Sequence, residues 1–163
     1  MLCVCIGFAD ADAKQKKKTK SANAAENKKY SAIVVDVQTG EVLMAKQADS
    51  IRYPASLTKM MTLYMVFDAI DRGALSLSDR VTISKHAAKM SPSKLGLPVG
   101  AQFRVEDGIK ALVTKSANDV AAAFAEKLAG PESKFGTRMT RKAKDLGLTR
   151  TNFRNASGLP DTQ

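Results

Sequence analysis

Tyr53-Pro54-Ala55-Ser56-Leu57-Thr58-Lys59-Met60-Met61-Thr62 is the stretch whose reading decides the fold. Pro54 closes whatever precedes it, Ser56 follows two residues later, and an apolar run starts at once. This pattern predicts a helix from Ser56 to about Arg72, with Gly73 just past its C-terminus. Met60, Met61, Leu63, Tyr64, Met65, Val66, Phe67, Ala69 and Ile70 leave little polar face, so the helix is expected to be buried on nearly every side. Ser56 and Lys59 stand at i and i+3, on one face about one turn apart. A hydroxyl beside a buried amine can be a nucleophile with its own base, because burial disfavours the ammonium form and frees the amine to take a proton. The S-x-x-K spacing alone also fits an N-cap serine followed by a surface lysine, and taken alone that is the simpler account.

Upstream, Ala32-Ile33-Val34-Val35-Asp36-Val37 is apolar and β-branched and predicts a largely buried strand. Gln38-Thr39-Gly40-Glu41 reads as a turn and Val42-Leu43-Met44-Ala45-Lys46 as the return strand of a hairpin. Residues 14–29 hold seven lysines against the single acid Glu26. They cannot bury a core and read as a disordered linker, and a nucleic-acid-binding arm would interleave aromatic residues that this segment lacks. Met1-Leu2-Cys3-Val4-Cys5-Ile6-Gly7-Phe8-Ala9 is apolar and uncharged, and two A-x-A patterns follow. Residues 1–13 thus read as the end of a secretory signal peptide without its basic n-region, which predicts export. Cys3 and Cys5 fall inside it, so the processed chain is expected to carry no disulfide.

The 163 residues suffice for one domain, and no apolar run approaches the roughly 20 residues of a membrane-spanning helix. The net charge of +10 comes partly from the lysine-rich segment; from Tyr30 onward 19 basic residues face 13 acidic ones, a balance that suits an anionic partner. The one histidine, His86, sits on a short polar helix and reads as solvated, so neither a metal site nor a cofactor is expected.

Downstream, a short strand Arg80–Ile83, a polar helical turn through Lys89, a Pro/Gly-rich loop over 91–100 and an edge strand Phe103–Val105 are expected. Helices follow over Glu106–Thr114, Val120–Ala129 and Glu132–Asp145, and the last residues, 151–163, are turn-rich. Between the first two of these helices lies Lys115-Ser116-Ala117-Asn118-Asp119. In an S-x-N triplet a hydroxyl can pass a proton and an amide can hold a substrate carbonyl; the same residues also suit a helix–helix turn whose polar side chains cap the next helix.

Five blocks now stand in order: Ile33–Asp36 with Thr39–Leu43, Tyr53–Thr62, Pro92–Leu97, Lys115–Asp119 and Asn155–Asp161. Together they resemble the penicillin-binding D-alanyl-D-alanine carboxypeptidases of low molecular mass, serine peptidases built on S-x-x-K, S-x-N and K-T-G. The resemblance runs from Tyr30 to Gln163. It implies an α+β, β-lactamase/transpeptidase-like fold, an antiparallel sheet with a helical subdomain. It implies Ser56 as the nucleophile, Lys59 as its base, Ser116 as a proton relay to the leaving amine and Asn118 as a substrate-binding residue. The implied partners are peptidoglycan stem peptides ending in D-Ala-D-Ala and β-lactam antibiotics, with no nucleic acid, no cofactor and no visible membrane anchor. A helix N-terminus at Ser56 would also aim a backbone N–H at a developing oxyanion.

K-T-G does not occur; Gln38-Thr39-Gly40 lies in the hairpin turn and is not its equivalent. Residues 30–163 are therefore expected to be the N-terminal part of the catalytic domain, with the C-terminal strands of the sheet missing and both a sheet edge and an apolar helix face uncovered. Two rivals stay open. A class A β-lactamase shares S-x-x-K but favours S-D-N, against Ala117 here, and no Glu-x-x-x-Asn segment follows. The other is a penicillin-binding remnant without chemistry.

Overall fold

The computed structural model describes residues 30–161, and the chain divides into two compact units, Met1–Arg52 and Tyr53–Gln163. The signal peptide and linker expected over 1–13 and 14–29 lie outside the described residues.

In the first unit, β1 (Ala32–Val35) pairs antiparallel with β2 (Val42–Lys46), from Ala32 opposite Lys46 to Val35 opposite Val42, with a bulge between Val34 and Val35. The turn is built by one carboxylate. Asp36 Oδ1 accepts from the backbone N–H groups of Gln38 and Thr39 and from the Thr39 hydroxyl, and Gly40 supplies the positive φ of 75°. The burial expected of the first strand is not found: Ile33 is 57% and Val35 45% exposed. Within this unit the hairpin is two strands deep, and two strands alone offer no second layer to cover either face.

The second unit is assembled around one helix. Its elements are a 3-10 turn at Ala55–Leu57, α1 (Thr58–Asp71), β3 (Arg80–Thr82), α2 (Lys85–Ala88), β4 (Gln102–Arg104), α3 (Val105–Lys115), α4 (Asn118–Ala129) and α5 (Glu132–Asp145). β3 and β4 form a second, separate antiparallel pair with Val81 opposite Phe103. Every residue of α4 from Asn118 to Ala125 is buried, and α1, α2, α3, α5 and β3 all pack against it. The alanines at 121, 122, 123 and 125 explain how one helix can serve so many neighbours, since short side chains let backbones approach from several sides. Phe124 fills the remaining space edge-on to Phe103, with ring centroids 5.7 Å apart. Gly108 of α3 sits where a Cβ would come within 2.8 Å of both rings.

α1 departs from its expected burial on every side. Lys59, Met61, Thr62, Val66 and Ala69 are buried, whereas Met60 (68%), Tyr64 and Phe67 are exposed on another face. Apolar composition told that every face of α1 suits burial; α3, α4 and α5 cover only one side of it.

Candidate active site

The focal stretch folds in two steps. Ala55 adopts a positive φ of 47°, and Ala55–Leu57 form a 3-10 turn before α1 proper begins at Thr58. Ser56 therefore lies in the turn that leads into the helix, whose first residue, Thr58, comes two residues after the start expected from sequence, and its side chain is exposed. Lys59, one turn on, is only 3% exposed. Its Nζ donates to Ser56 Oγ at 3.2 Å and to the Ser157 carbonyl at 2.8 Å. Burial holds its pKa below the ordinary lysine value of 10.5.

Ser157 belongs to a return segment that runs along α5 and α1. Thr140 of α5 accepts from Phe153 N–H at 2.8 Å and donates to the Phe153 carbonyl. Asn155 Oδ1 accepts from the N–H groups of Ser157 and Gly158, and its Nδ2 donates to the Leu159 carbonyl, folding the segment into a tight turn. Thr62, fully buried in α1, donates to the Ala156 carbonyl at 2.7 Å. Gly158, with φ +79°, presses against the Ala55–Leu57 turn: a Cβ there would stand 1.9 Å from the Ala55 carbonyl oxygen and 2.8 Å from Thr58 Oγ1.

Ser116 and Asn118 sit at the junction of α3 and α4, the helices packed on α1. Ser116 ends α3 in the left-handed conformation, φ 55°, and is half-buried. Asn118 is 4% exposed; its backbone N–H donates to the Ser93 carbonyl at 2.7 Å and its Nδ2 to the Ser91 carbonyl at 2.9 Å. Ser93 returns a hydroxyl bond to the Lys115 carbonyl, and the fully buried Asp119 accepts from Leu95 and Gly96 N–H. The 91–96 loop is thus tied to the S-x-N junction from both sides. Among the described residues no hydrogen bond joins Ser116 or Asn118 to Ser56 or Lys59; the shared packing of α1, α3 and α4 places both pairs in one unit.

The sequence assigns no functional role to Thr62, Asp119, Asn155, Ser157 or Glu132, and reads Asp119 only as a candidate cap of the next helix. The first four stand inside or beside the quoted blocks, and Asp119 and Asn155 had a signal of their own, a short acid or amide in a turn. Ser157 had none, because it acts through its backbone carbonyl. His86 is a correction. Its side chain is 54% exposed, yet Nε2 lies 2.6 Å from Glu132 Oε2, tying α2 to the start of α5 rather than standing simply in solvent.

An exposed serine hydroxyl in contact with a buried lysine amine is an arrangement chemically able to carry serine acyl transfer with the amine as base. The profile of the D-alanyl-D-alanine carboxypeptidase family matches residues 16–163. The chain belongs to that family. It is 40% identical over 131 residues to D-alanyl-D-alanine carboxypeptidase DacF of Bacillus subtilis, spanning 80% of this chain and 34% of that one. It is 38% identical to DacC of Escherichia coli, covering 78% and 33%. The crystal structure of DacD from Francisella tularensis superposes with a TM-score of 0.80 at 33% identity, over 93% of this chain and 36% of the other. That of penicillin-binding protein D2 from Listeria monocytogenes, in its ampicillin-bound form, gives 0.73 at 32%, over 83% and 54%. The fold is accordingly that of the penicillin-binding D-alanyl-D-alanine carboxypeptidases, α plus β with small antiparallel sheets and a helical region. The chain spans about a third of the length of DacF and DacC.

Proposed function

We propose that this chain supplies the nucleophile, base and proton relay of a serine-type D-alanyl-D-alanine carboxypeptidase that trims peptidoglycan stem peptides. The observation that carries the reading is Lys59: 3% exposed, its pKa lowered by burial, and its Nζ 3.2 Å from the exposed Ser56 hydroxyl. In the neutral form the amine accepts the Ser56 proton while Oγ attacks the carbonyl carbon of the penultimate D-alanine. The C–O bond forms, and the carbonyl oxygen carries the negative charge. The C–N bond then breaks, and the departing amine of the terminal D-alanine takes the proton from Lys59 through the Ser116 hydroxyl. Water attacks the ester, releases the shortened peptide as a carboxylate and returns the proton to Ser56. Asn118, with one amide hydrogen committed to Ser91, offers its other N–H and Oδ1 to the substrate backbone. A β-lactam would acylate Ser56 by the same attack, with the leaving nitrogen kept tethered by the opened ring.

The site of action proposed is outside the cytoplasmic membrane, where the wall substrate lies; the apolar opening Met1–Ala9 followed by A-x-A patterns supports it. No nucleic acid, metal or cofactor enters the scheme.

A fluorescent penicillin tests the reading. Labelling is expected to be weak in the 163-residue chain and clear in the same chain extended through a K-T-G segment. In the extended form the label disappears in Ser56→Ala and slows about 100-fold or more in Lys59→Ala. Label that survives Ser56→Ala, or its absence from the extended chain, overturns the proposal. Rapid turnover of a fluorogenic cephalosporin in place of a lasting adduct would favour the β-lactamase reading.

A further inference from the structure

Lys59 reaches back to a carbonyl far along the chain, and the peptide groups around that carbonyl are held one after another. The Ala156 N–H donates to Glu132 Oε1 at 2.9 Å. The Ala156 carbonyl accepts from the Thr62 hydroxyl at 2.7 Å. The next two N–H groups, of Ser157 and Gly158, both end on Asn155 Oδ1. The carbonyl that follows, Ser157 O, takes the Lys59 amine. Ala156, Ser157 and Thr62 are each no more than 1% exposed, and the Glu132 side chain is 11% exposed with its second oxygen on His86. Water therefore has little room to substitute for any of these bonds.

The consequence lies in the geometry of a neutral amine, which has two N–H bonds and one lone pair. If one N–H points into the Ser157 carbonyl, rotation about the final C–N bond is restricted and the lone pair can be directed at Ser56, 3.2 Å away. Without that acceptor the amine is free to rotate, and only a fraction of its orientations face the hydroxyl.

We propose that Glu132 and Thr62 are positioning residues for the base: through the Ala156–Ser157 backbone they hold the carbonyl that orients the Lys59 amine toward Ser56. The proposal rests on the reading of Lys59 as base. Glu132 acts as a hydrogen-bond acceptor and not through its charge. Thr62 acts as a donor.

The test measures acylation by a fluorescent penicillin over a range of concentrations in the chain extended through K-T-G. The saturating first-order rate constant is separated from the initial binding constant. That rate constant is a property of each folded molecule, so a loss of folded fraction alone does not change it. Glu132→Ala and Thr62→Val are expected to lower it about 10- to 100-fold with little change in initial binding. Glu132→Gln and Thr62→Ser, which keep the acceptor and the donor, are expected to restore most of it. Full rate in the first pair, or equal loss in Glu132→Gln and Glu132→Ala, overturns the proposal. Should Glu132→Ala not fold, Thr62→Val against Thr62→Ser carries the same comparison.

A second readout needs no chemistry. In the 163-residue chain, the Ser157 carbonyl ¹³C and the Lys59 ¹⁵N resonances are expected to titrate together, and Thr62→Val to uncouple them. Coupling unchanged in Thr62→Val overturns the positioning claim even if no label forms. A wild type that stays unlabelled when extended through K-T-G, with coupling that Thr62→Val abolishes, sinks the carboxypeptidase reading and leaves the positioning geometry standing.

Discussion

Lys59 Nζ donates to the Ser157 carbonyl at 2.8 Å, joining residues 98 positions apart in sequence. The bond keeps a buried amine in place, but a carbonyl cannot offset the whole cost of desolvating an ammonium, and the Lys59 pKa falls below 10.5. Below the folded pKa that cost is fully present. As pH rises from the folded pKa toward 10.5, the unfolded chain binds the proton more than the folded chain does, so stability rises with pH. Urea unfolding of the wild type and Lys59→Met, compared between about pH 6 and pH 10, is expected to show the wild-type deficit shrinking. A difference independent of pH would contradict a depressed pKa. Acylation should climb through the same range, since only the neutral amine can take the Ser56 proton.

Gly158→Ala is expected to destabilise the second unit by about 2 kcal/mol or more, from the strain of positive φ and the collision with the Ala55 carbonyl. Thermal unfolding measures it. A change below about 0.5 kcal/mol would place Gly158 away from the Ala55–Leu57 turn.

Asp119→Ala leaves the N–H groups of Leu95, Gly96 and Val120 without their carboxylate. The expected loss is about 3 kcal/mol, with faster proteolysis in the 91–96 loop; Asp119→Asn, which keeps one oxygen acceptor, should lose less. Limited proteolysis with mass spectrometry locates the cuts. Cleavage elsewhere, with this loop still protected, would show that Asp119 does not anchor it.

The Asp36 carboxyl is expected to titrate below 3.8, held there first by the Thr39 N–H, then by the Thr39 hydroxyl and the Gln38 N–H. The hairpin stability this gives is present above 3.8 and lost as pH falls through the folded pKa. In Thr39→Val the pKa should move part of the way back, because the backbone donors remain. Carboxyl ¹³C titration by NMR reads both values, and identical values in the two chains would remove the hydroxyl from the turn.

The sequence was most legible where a signal is local. Helix α5 runs from Glu132 to Asp145, as its Gly-Pro start and Gly147 end suggest, and the strands of the first hairpin fall where β-branched residues predict them. Ser56 and Lys59 meet because i and i+3 are neighbours in any helical turn. The long-range partners of Lys59, Asp119 and His86 were not legible. Each bond crosses at least 23 positions, and two of the three end on backbone groups that every residue possesses. An uncovered apolar helix face was foreseen, but that α1 would carry it was not legible, because an apolar side chain states what it prefers, not whether a neighbour is there to meet it.

The turn at Asn155–Gly158 also gives the site a timetable. During synthesis Lys59 emerges first, and its carbonyl partner follows 98 residues later, about 5–20 s at ordinary rates of elongation. Through that interval helix α1 can form while its amine stays solvated and ordinarily basic, hence protonated near neutral pH. With Lys59 as the proposed base, Ser56 is expected to stay unreactive in the nascent chain until the return segment closes over the pair.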